Sequence, residues 1–354
     1  VSRESLHTVD ALVARGLLTP GRRADAEAVA ERYALGVTPA MAALIDPADP
    51  ADPIARQFLP DPRELVTTPD ERADPIGDAA HSPCEGLVHR YPDRVLLKIV
   101  NVCAVYCRFC FRRETVGPGR AEPLSPQALA RALAYIAERP AIWEVILTGG
   151  DPLAASPRRL ADVASRLAPL PHVKILRVHT RVPIVAPERV DATLIAALKA
   201  SSKTIYVAIH ANHPRELTPE AVAACGRLAD AGFCLVSQSV LLRGVNDDVA
   251  TLAALMRAFV EARIKPYYLH HPDLAPGTSH FRLSIEEGRA LVGALRGHLS
   301  GLCQPTYVLD VPGGHGKVAL GPADVVLDEA GVATLTDYRG GSHAYPPRRN
   351  KTGF

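Results

Sequence analysis

The sequence predicts an α/β protein whose parallel sheet curls towards a barrel. The first observation behind this is a regular alternation along the chain. Apolar or β-branched runs at Val95–Val100, Ile142–Leu147, Val173–Val178, Thr204–Ile209, Cys234–Val240 and Ile264–Leu269 are separated by helix-like segments, as in successive βαβ units. The second is that the polar and cysteine-bearing stretches follow the C-terminal ends of these strands, where barrel enzymes build their sites. That placement favours a barrel-like closure over an open α/β sandwich. The third is composition: 354 residues, 47% of them apolar, supply a sizeable core for one large domain or two ordinary ones.

In chain order, residues 1–43 are rich in Ala, Leu, Val and Glu and read as helical, with a break at Leu18-Thr19-Pro20-Gly21. From Asp46 to Pro75 the chain repeats Asp-Pro pairs. Proline fixes φ and pushes its predecessor out of the helical region, so this stretch reads as an irregular, extended connector. Ile54, Phe58 and Leu59 are the residues able to pin it to a core. The helices of the alternating region are expected at Ser125–Glu138, Pro157–Leu167, Asp191–Ala200, Pro219–Ala231 and Val249–Ala262, followed by Ser284–Leu299. One more short strand, Thr306–Leu309, leads into a Gly-rich turn, and the basic tail Tyr338–Phe354 reads as a loose end or a docking arm.

Lys+Arg total 40 against 38 for Asp+Glu, so no nucleic-acid footprint is present and no nucleic acid is expected as partner. No apolar run reaches the roughly 18 residues of a membrane span, and none resembles a signal peptide, which makes a cytoplasmic, membrane-free protein the expectation. Seven cysteines are too few for a disulfide framework in a chain of this size. Three of them stand together in Cys103-Ala-Val-Tyr-Cys107-Arg-Phe-Cys110, directly after the first strand. Closely spaced thiolates suit an iron–sulfur cluster, in which one loop serves several irons. A structural zinc site calls for a fourth ligand, commonly as two separated pairs, and buried thiols without a ligand are the bland alternative.

Cys103-Ala-Val-Tyr-Cys107-Arg-Phe-Cys110 resembles the cluster motif of the radical S-adenosylmethionine (SAM) superfamily. With Phe111-Arg112-Arg113, it resembles specifically the lysine 2,3-aminomutase family. Tyr91-Pro-Asp-Arg94, Leu147-Thr-Gly-Gly-Asp151, His210-Ala-Asn-His-Pro, Gln238-Ser-Val-Leu-Leu-Arg-Gly-Val-Asn-Asp247, Tyr267-Tyr-Leu-His-His-Pro-Asp273 and Asp310-Val-Pro-Gly-Gly-His-Gly-Lys317 extend the likeness in order. The resemblance implies a partial (βα)6 TIM-like radical SAM barrel over 89–282. Before it would lie an N-terminal helical region and connector (1–88), and after it a C-terminal extension (283–354) that binds pyridoxal 5′-phosphate.

It also implies roles. Cys103, Cys107 and Cys110 would hold a [4Fe–4S] cluster that chelates SAM. Gly149, Gly150 and Asp151 would line the methionine part of SAM, glycine allowing close approach of backbone, and His210 and Gln238 would line the same cofactor. Lys317 would carry the coenzyme and Arg94 its phosphate. Arg112 would pair with the substrate carboxylate, and Asp273 and Asp310 with the ε-ammonium of L-lysine. The implied reaction is an amino shift giving β-lysine, in which a 5′-deoxyadenosyl radical takes hydrogen from the lysine–coenzyme aldimine; a flavodoxin or ferredoxin would supply the electron. Read without the family, Lys317 is a solvated surface charge, Asp273 and Asp310 are a helix cap and a turn residue, and His210 and Gln238 are polar core residues.

Departures from the family are informative. No cysteine follows Cys303, and Asp248 stands where an inter-subunit zinc-binding cysteine is expected, so zinc is expected to be absent although a homo-oligomer is still expected. His315 replaces a family glycine. The short C-terminus is similar to relatives that make β-lysine for modification of translation elongation factor P. The rival readings are an aminomutase for a different amino acid and a non-catalytic iron–sulfur redox or sensor protein.

Overall fold

The structure, a computed structural model, describes residues 5–120, 124–321, 325–329 and 332–345. Nine strands form one continuous sheet in sequence order: β1 Leu87–Tyr91, β2 Arg94–Val100, β3 Glu144–Gly149, β4 Ile175–Thr180, β5 Thr204–His210, β6 Cys234–Val240, β7 Lys265–His270, β8 Thr306–Val311 and β9 Gly316–Ala319. From β2 to β8 every neighbouring pair is parallel, so the six expected strands are β2–β7 and the short strand after them joins as a seventh. Two antiparallel edges finish the sheet, β1 on β2 and β9 on β8. They meet where the Tyr91 hydroxyl accepts a hydrogen bond from Lys317 N at 2.8 Å, and this nearly closes the barrel. Strands β10 Val325–Leu327, β11 Ala333–Thr336 and β12 Ser342–Tyr345 make a separate antiparallel sheet. It takes up part of the expected basic tail; residues 346–354 of that tail lie outside the described residues.

β3 and β4 begin two residues later than the apolar runs that predict them. Ile142 and Val173 are fully buried but precede the ladder, because apolarity marks burial whereas strand assignment follows pairing. The helices match their expected positions closely, since their start signals are strong. Ser125, Ser156 and Thr218 each cap a helix that begins with proline (Pro126–Ala137, Pro157–Leu167 and Pro219–Asp230), accepting a hydrogen bond from the backbone three residues on. Each helix buries one apolar face on the sheet; Leu129, Leu133 and Ile136 of the first are typical. The last helix is shorter than expected, Ile285–Gly293. Among the described residues no helix is long and apolar enough to cross a membrane.

The N-terminal region is helical, at Val9–Ala14, Arg23–Arg32 and Pro39–Leu44. The connector corrects the expectation of an extended stretch. Asp52-Pro53 starts the helix Pro53–Phe58 and Asp61-Pro62 starts a 3₁₀ turn, each aspartate capping the backbone ahead of it. An Asp-Pro pair excludes helix before the proline but is well suited to begin one after it. Ile54, Phe58 and Leu59 are buried, as expected of anchoring residues.

Candidate active site

The cavity inside the barrel, about 650 Å3, runs from the strand starts, near Arg94 and Glu144, to the loops that follow the strands. Every candidate residue named from the sequence lines it: Cys103, Cys107, Cys110, Arg94, Arg112, Gly149, Gly150, Asp151, His210, Gln238, Asp273, Asp310 and Lys317. His315 does not line it and is exposed.

The three cysteines lie on the loop after β2, all as free thiols. Burial, with the neighbouring Cys107 adding to it, pushes the Cys110 thiol up to about 11, and burial, with Asp151 and the other two thiols adding to it, raises Cys103 well above its ordinary value. Neither is therefore a thiolate at neutral pH without a cationic partner to stabilise it. The loop is clamped from behind by the N-terminal region. Tyr106 N donates to Gly36 O at 3.1 Å, Arg108 N to Gln57 O at 2.9 Å, and the Arg108 guanidinium grips Glu64 at 2.6–3.0 Å. Arg113 also bonds Glu64, so one fully buried carboxylate serves two guanidiniums. Arg181, just past β4, donates to Cys107 Sγ at 2.9 Å and is itself held by Gln57 and Glu216.

Gly149 and Gly150 have a steric reason in this chain. A Cβ on Gly149, whose φ is +115°, would lie 2.2 Å from Val100 O, and one on Gly150 would lie 2.3 Å from Val102 O. The glycines let the end of β3 press against the backbone that leads into the cysteine loop. Gly150→Ala is expected to displace Val102 and with it the loop, so that iron bound after reconstitution falls well below the wild-type value; unchanged iron content would refute this. The Asp151 carboxylate is filled by protein donors, namely Thr180 Oγ1 and Arg181 N, both at 2.7 Å, with Leu153 N and Val182 N. Its side chain thus ties β3 to β4.

His210 Nε2 is buried without a hydrogen-bond partner, and its ring stacks on Phe109 of the cysteine loop at 5.6 Å. An orphaned donor or acceptor beside three thiols fits a polar cofactor seated there. His179 Nε2, on the neighbouring strand, is orphaned in the same way.

Asp310-Val-Pro-Gly-Gly-His-Gly-Lys317 is a β-hairpin in which Asp310 on β8 stands directly opposite Lys317 on β9. Gly313, Gly314 and Gly316 all take positive φ, the backbone this reversal requires. The register places Lys317 Nζ 2.8 Å from Asp310 Oδ1, while His270 Nδ1 lies 3.6 Å from Oδ2. Burial works to raise the Asp310 carboxyl, but the His270 and Lys317 interactions overcome it and hold Asp310 well below the usual carboxylate range. Asp273 is the opposite case: burial first, then the negative Asp310, raise it to about 7.

Sequence reasoning missed several residues in and around the cavity. Asp78, in the connector, accepts from Arg112 at 2.9 Å and from Arg90 at 3.1 Å, and Arg90 lies 3.9 Å from Asp310 Oδ1. An alternating chain of charge, Arg112–Asp78–Arg90–Asp310–Lys317, therefore runs along the wall, with Asp78 joining the two arginines outside the lining itself. No local signal marks Asp78 or Arg181, because their partners are distant in sequence. The alternation of strand residues could have pointed to His179 and His270.

The radical SAM superfamily profile matches residues 97–256, and a profile described as lysine-2,3-aminomutase matches residues 292–352. The chain is 38% identical to the L-lysine 2,3-aminomutase of Clostridium subterminale over 99% of this chain and 84% of that relative. It is 36% identical to the Escherichia coli L-lysine 2,3-aminomutase over 81% and 83%, and 34% identical to the glutamate 2,3-aminomutase of Clostridioides difficile over 94% and 78%. Superfamily membership carries a [4Fe–4S] cluster, SAM and a need for an electron donor. With a cysteine triplet, a glycine-floored loop and a lysine hairpin around one cavity, this chain belongs to the lysine 2,3-aminomutase family of radical SAM isomerases.

Proposed function

We propose that the chain moves the α-amino group of L-lysine to Cβ, giving β-lysine, with pyridoxal 5′-phosphate held on Lys317. The observation that carries this reading is a charge pattern in the cavity: among the several ionisable groups that line it, the Arg112 guanidinium and the Asp273 and Asp310 carboxylates face the same space. That pattern complements a molecule with a carboxylate and a distal ammonium. A side-chain carboxylate, as in glutamate, would meet two acids instead.

The walls also suit the coenzyme. Arg94, its guanidinium 3.7 Å over the Tyr91 ring, offers a cation for a phosphate, and the Tyr91 hydroxyl is bonded to the backbone of Lys317. One tyrosine thus ties the two proposed contacts together. When bound, pyridoxal phosphate would supply a carbonyl to carry a nitrogen in transit, and the cluster with SAM the hydrogen-abstracting radical.

The chain's residues bind and orient. Arg112 can take a carboxylate through two parallel N–H donors. Asp310 is ionised and holds the Lys317 ammonium; once Lys317 is engaged elsewhere, a substrate ammonium can take its place.

Asp273 gives the reading a pH signature. An ammonium binds the ionised carboxylate, whereas the free protein protonates Asp273 as the pH falls through about 7. Capture of lysine, read as 1/KM, is expected to rise about tenfold per pH unit below 7 and to level off above it. Asp273→Asn should flatten that limb, and an unaltered limb in the variant would assign it to another group.

The decisive experiment reconstitutes the protein anaerobically with iron, sulfide and pyridoxal phosphate, then adds SAM, dithionite and L-lysine, with glutamate and arginine in parallel. β-Lysine detected by mass spectrometry from lysine alone supports the reading. Deoxyadenosine without β-lysine would retain the radical chemistry and remove lysine as the substrate.

A further inference from the structure

Arg112 does not stand free in the cavity wall. Its Nη2 donates to Asp78 Oδ2 at 2.9 Å and its Nη1 to Thr148 Oγ1 at 3.2 Å, while the second Asp78 oxygen accepts from Arg90 at 3.1 Å. We infer that Asp78 is the positioning residue for recognition of the substrate α-carboxylate, dividing its two oxygens so that Arg112 is aimed into the cavity and Arg90 is kept beside Asp310. The inference rests on the reading above that Arg112 takes that carboxylate.

Asp78 is 8% exposed and its backbone is fixed. The Asp74 carboxylate accepts from Asp78 N at 2.9 Å and from Ala79 N at 2.8 Å, and Arg90 also donates to Ile76 O at 2.7 Å. The same segment is interlocked with the lysine hairpin. Gly77 has φ +67°, and a Cβ there would lie 2.5 Å from Gly314 N; His81 Nε2 lies 3.0 Å from Gly314 O. The position of Arg112 is therefore referenced to the strand that bears Lys317. A carboxylate site referenced in this way holds Cα of an amino acid at a set place relative to that lysine.

The charges explain why an aspartate is needed. Arg112 and Arg90 present two guanidiniums to one region of the wall, and Lys98 lies near the same carboxylate. Asp78 neutralises one charge and leaves a surplus that an incoming carboxylate can meet. Without the Asp78 charge, Arg112 loses its anchor. Arg90 is then drawn to Asp310, whose Oδ1 is already 3.9 Å away, where it competes with a bound ammonium. The effect should fall on binding, because no reacting atom touches Asp78.

The test compares wild type, Asp78→Asn and Asp78→Glu as full-length, reconstituted proteins, acting on whichever amino acid the wild type converts. The asparagine variant is expected to raise KM roughly ten- to a hundredfold, with kcat within about threefold of wild type. Glutamate should restore part of the KM. The amine lacking only the α-carboxylate (cadaverine where lysine is the substrate) should lose less affinity in the asparagine variant than the substrate does, because it gives up only the share that Arg90 takes at Asp310. Iron content and melting temperature, measured alongside, separate positioning from folding. The inference is overturned if KM is unchanged in Asp78→Asn, if kcat falls alone, or if KM rises only in step with lost iron and lost stability in both variants. A wild type that converts glutamate rather than lysine would end the lysine reading but leave this test intact, since every α-amino acid carries the carboxylate in question.

Discussion

Lys317→Ala is expected to abolish amino migration while leaving SAM cleavage intact. The lysine stands on β9 and the three cysteines on the loop after β2, so its removal takes away the proposed attachment point of the coenzyme and none of the cluster ligands. The fold should survive. Asp310 loses its 2.8 Å partner but keeps His270 at 3.6 Å and Arg90 at 3.9 Å, so the buried carboxylate is not stranded. The measurements are the coenzyme's protein-bound absorbance band, β-lysine and 5′-deoxyadenosine. The expected result is loss of the first two and persistence of the third with SAM and dithionite. β-Lysine formed by the variant with added pyridoxal phosphate would remove Lys317 from its proposed role.

The second large effect is one of stability. Glu64 is fully buried and accepts hydrogen bonds from Arg108 and Arg113, which are 1% and 5% exposed. Glu64→Ala leaves two guanidiniums in the interior without their carboxylate, a loss of about 3–5 kcal/mol for a broken buried pair. Against a total of roughly 5–15 kcal/mol, that is a large fraction of the stability. Arg108 stands between Cys107 and Cys110 and Arg113 just after them, so the damage should reach function through iron binding. Denaturant unfolding and iron content are expected to fall together in Glu64→Ala. Glu64→Gln, which keeps an acceptor oxygen, should be less severe. A variant as stable as wild type would mean that the guanidiniums find water or another partner, and would refute the clamp.

Much of the fold was legible because its determinants are local. Ser-Pro and Thr-Pro pairs begin the helices Pro126–Ala137, Pro157–Leu167 and Pro219–Asp230, and β-branched runs mark the strands between them. The Asp-Pro connector misled for a local reason too: the same pair that forbids helix before proline caps one after it, as at Asp52. The edges β1 and β9 were not foreseen. A short edge strand is defined by its neighbour rather than by its own composition.

For the site, the sequence by itself determined the chemical inventory. The cysteine spacing, the paired glycines, the Gly-rich segment ending in Lys317 and the acids at 273 and 310 were all readable, because close spacing along the chain is a local property. Only the tertiary structure decided how these groups act on one another. That Asp310 faces Lys317 follows from hairpin register; that Asp273 is raised to about 7 follows from burial beside Asp310. Asp78 lies 34 residues from Arg112, and Glu64 lies 44 from Arg108. Electrostatic partners are chosen by distance in space, and a buried charge takes its energy from what surrounds it rather than from what precedes it in the chain.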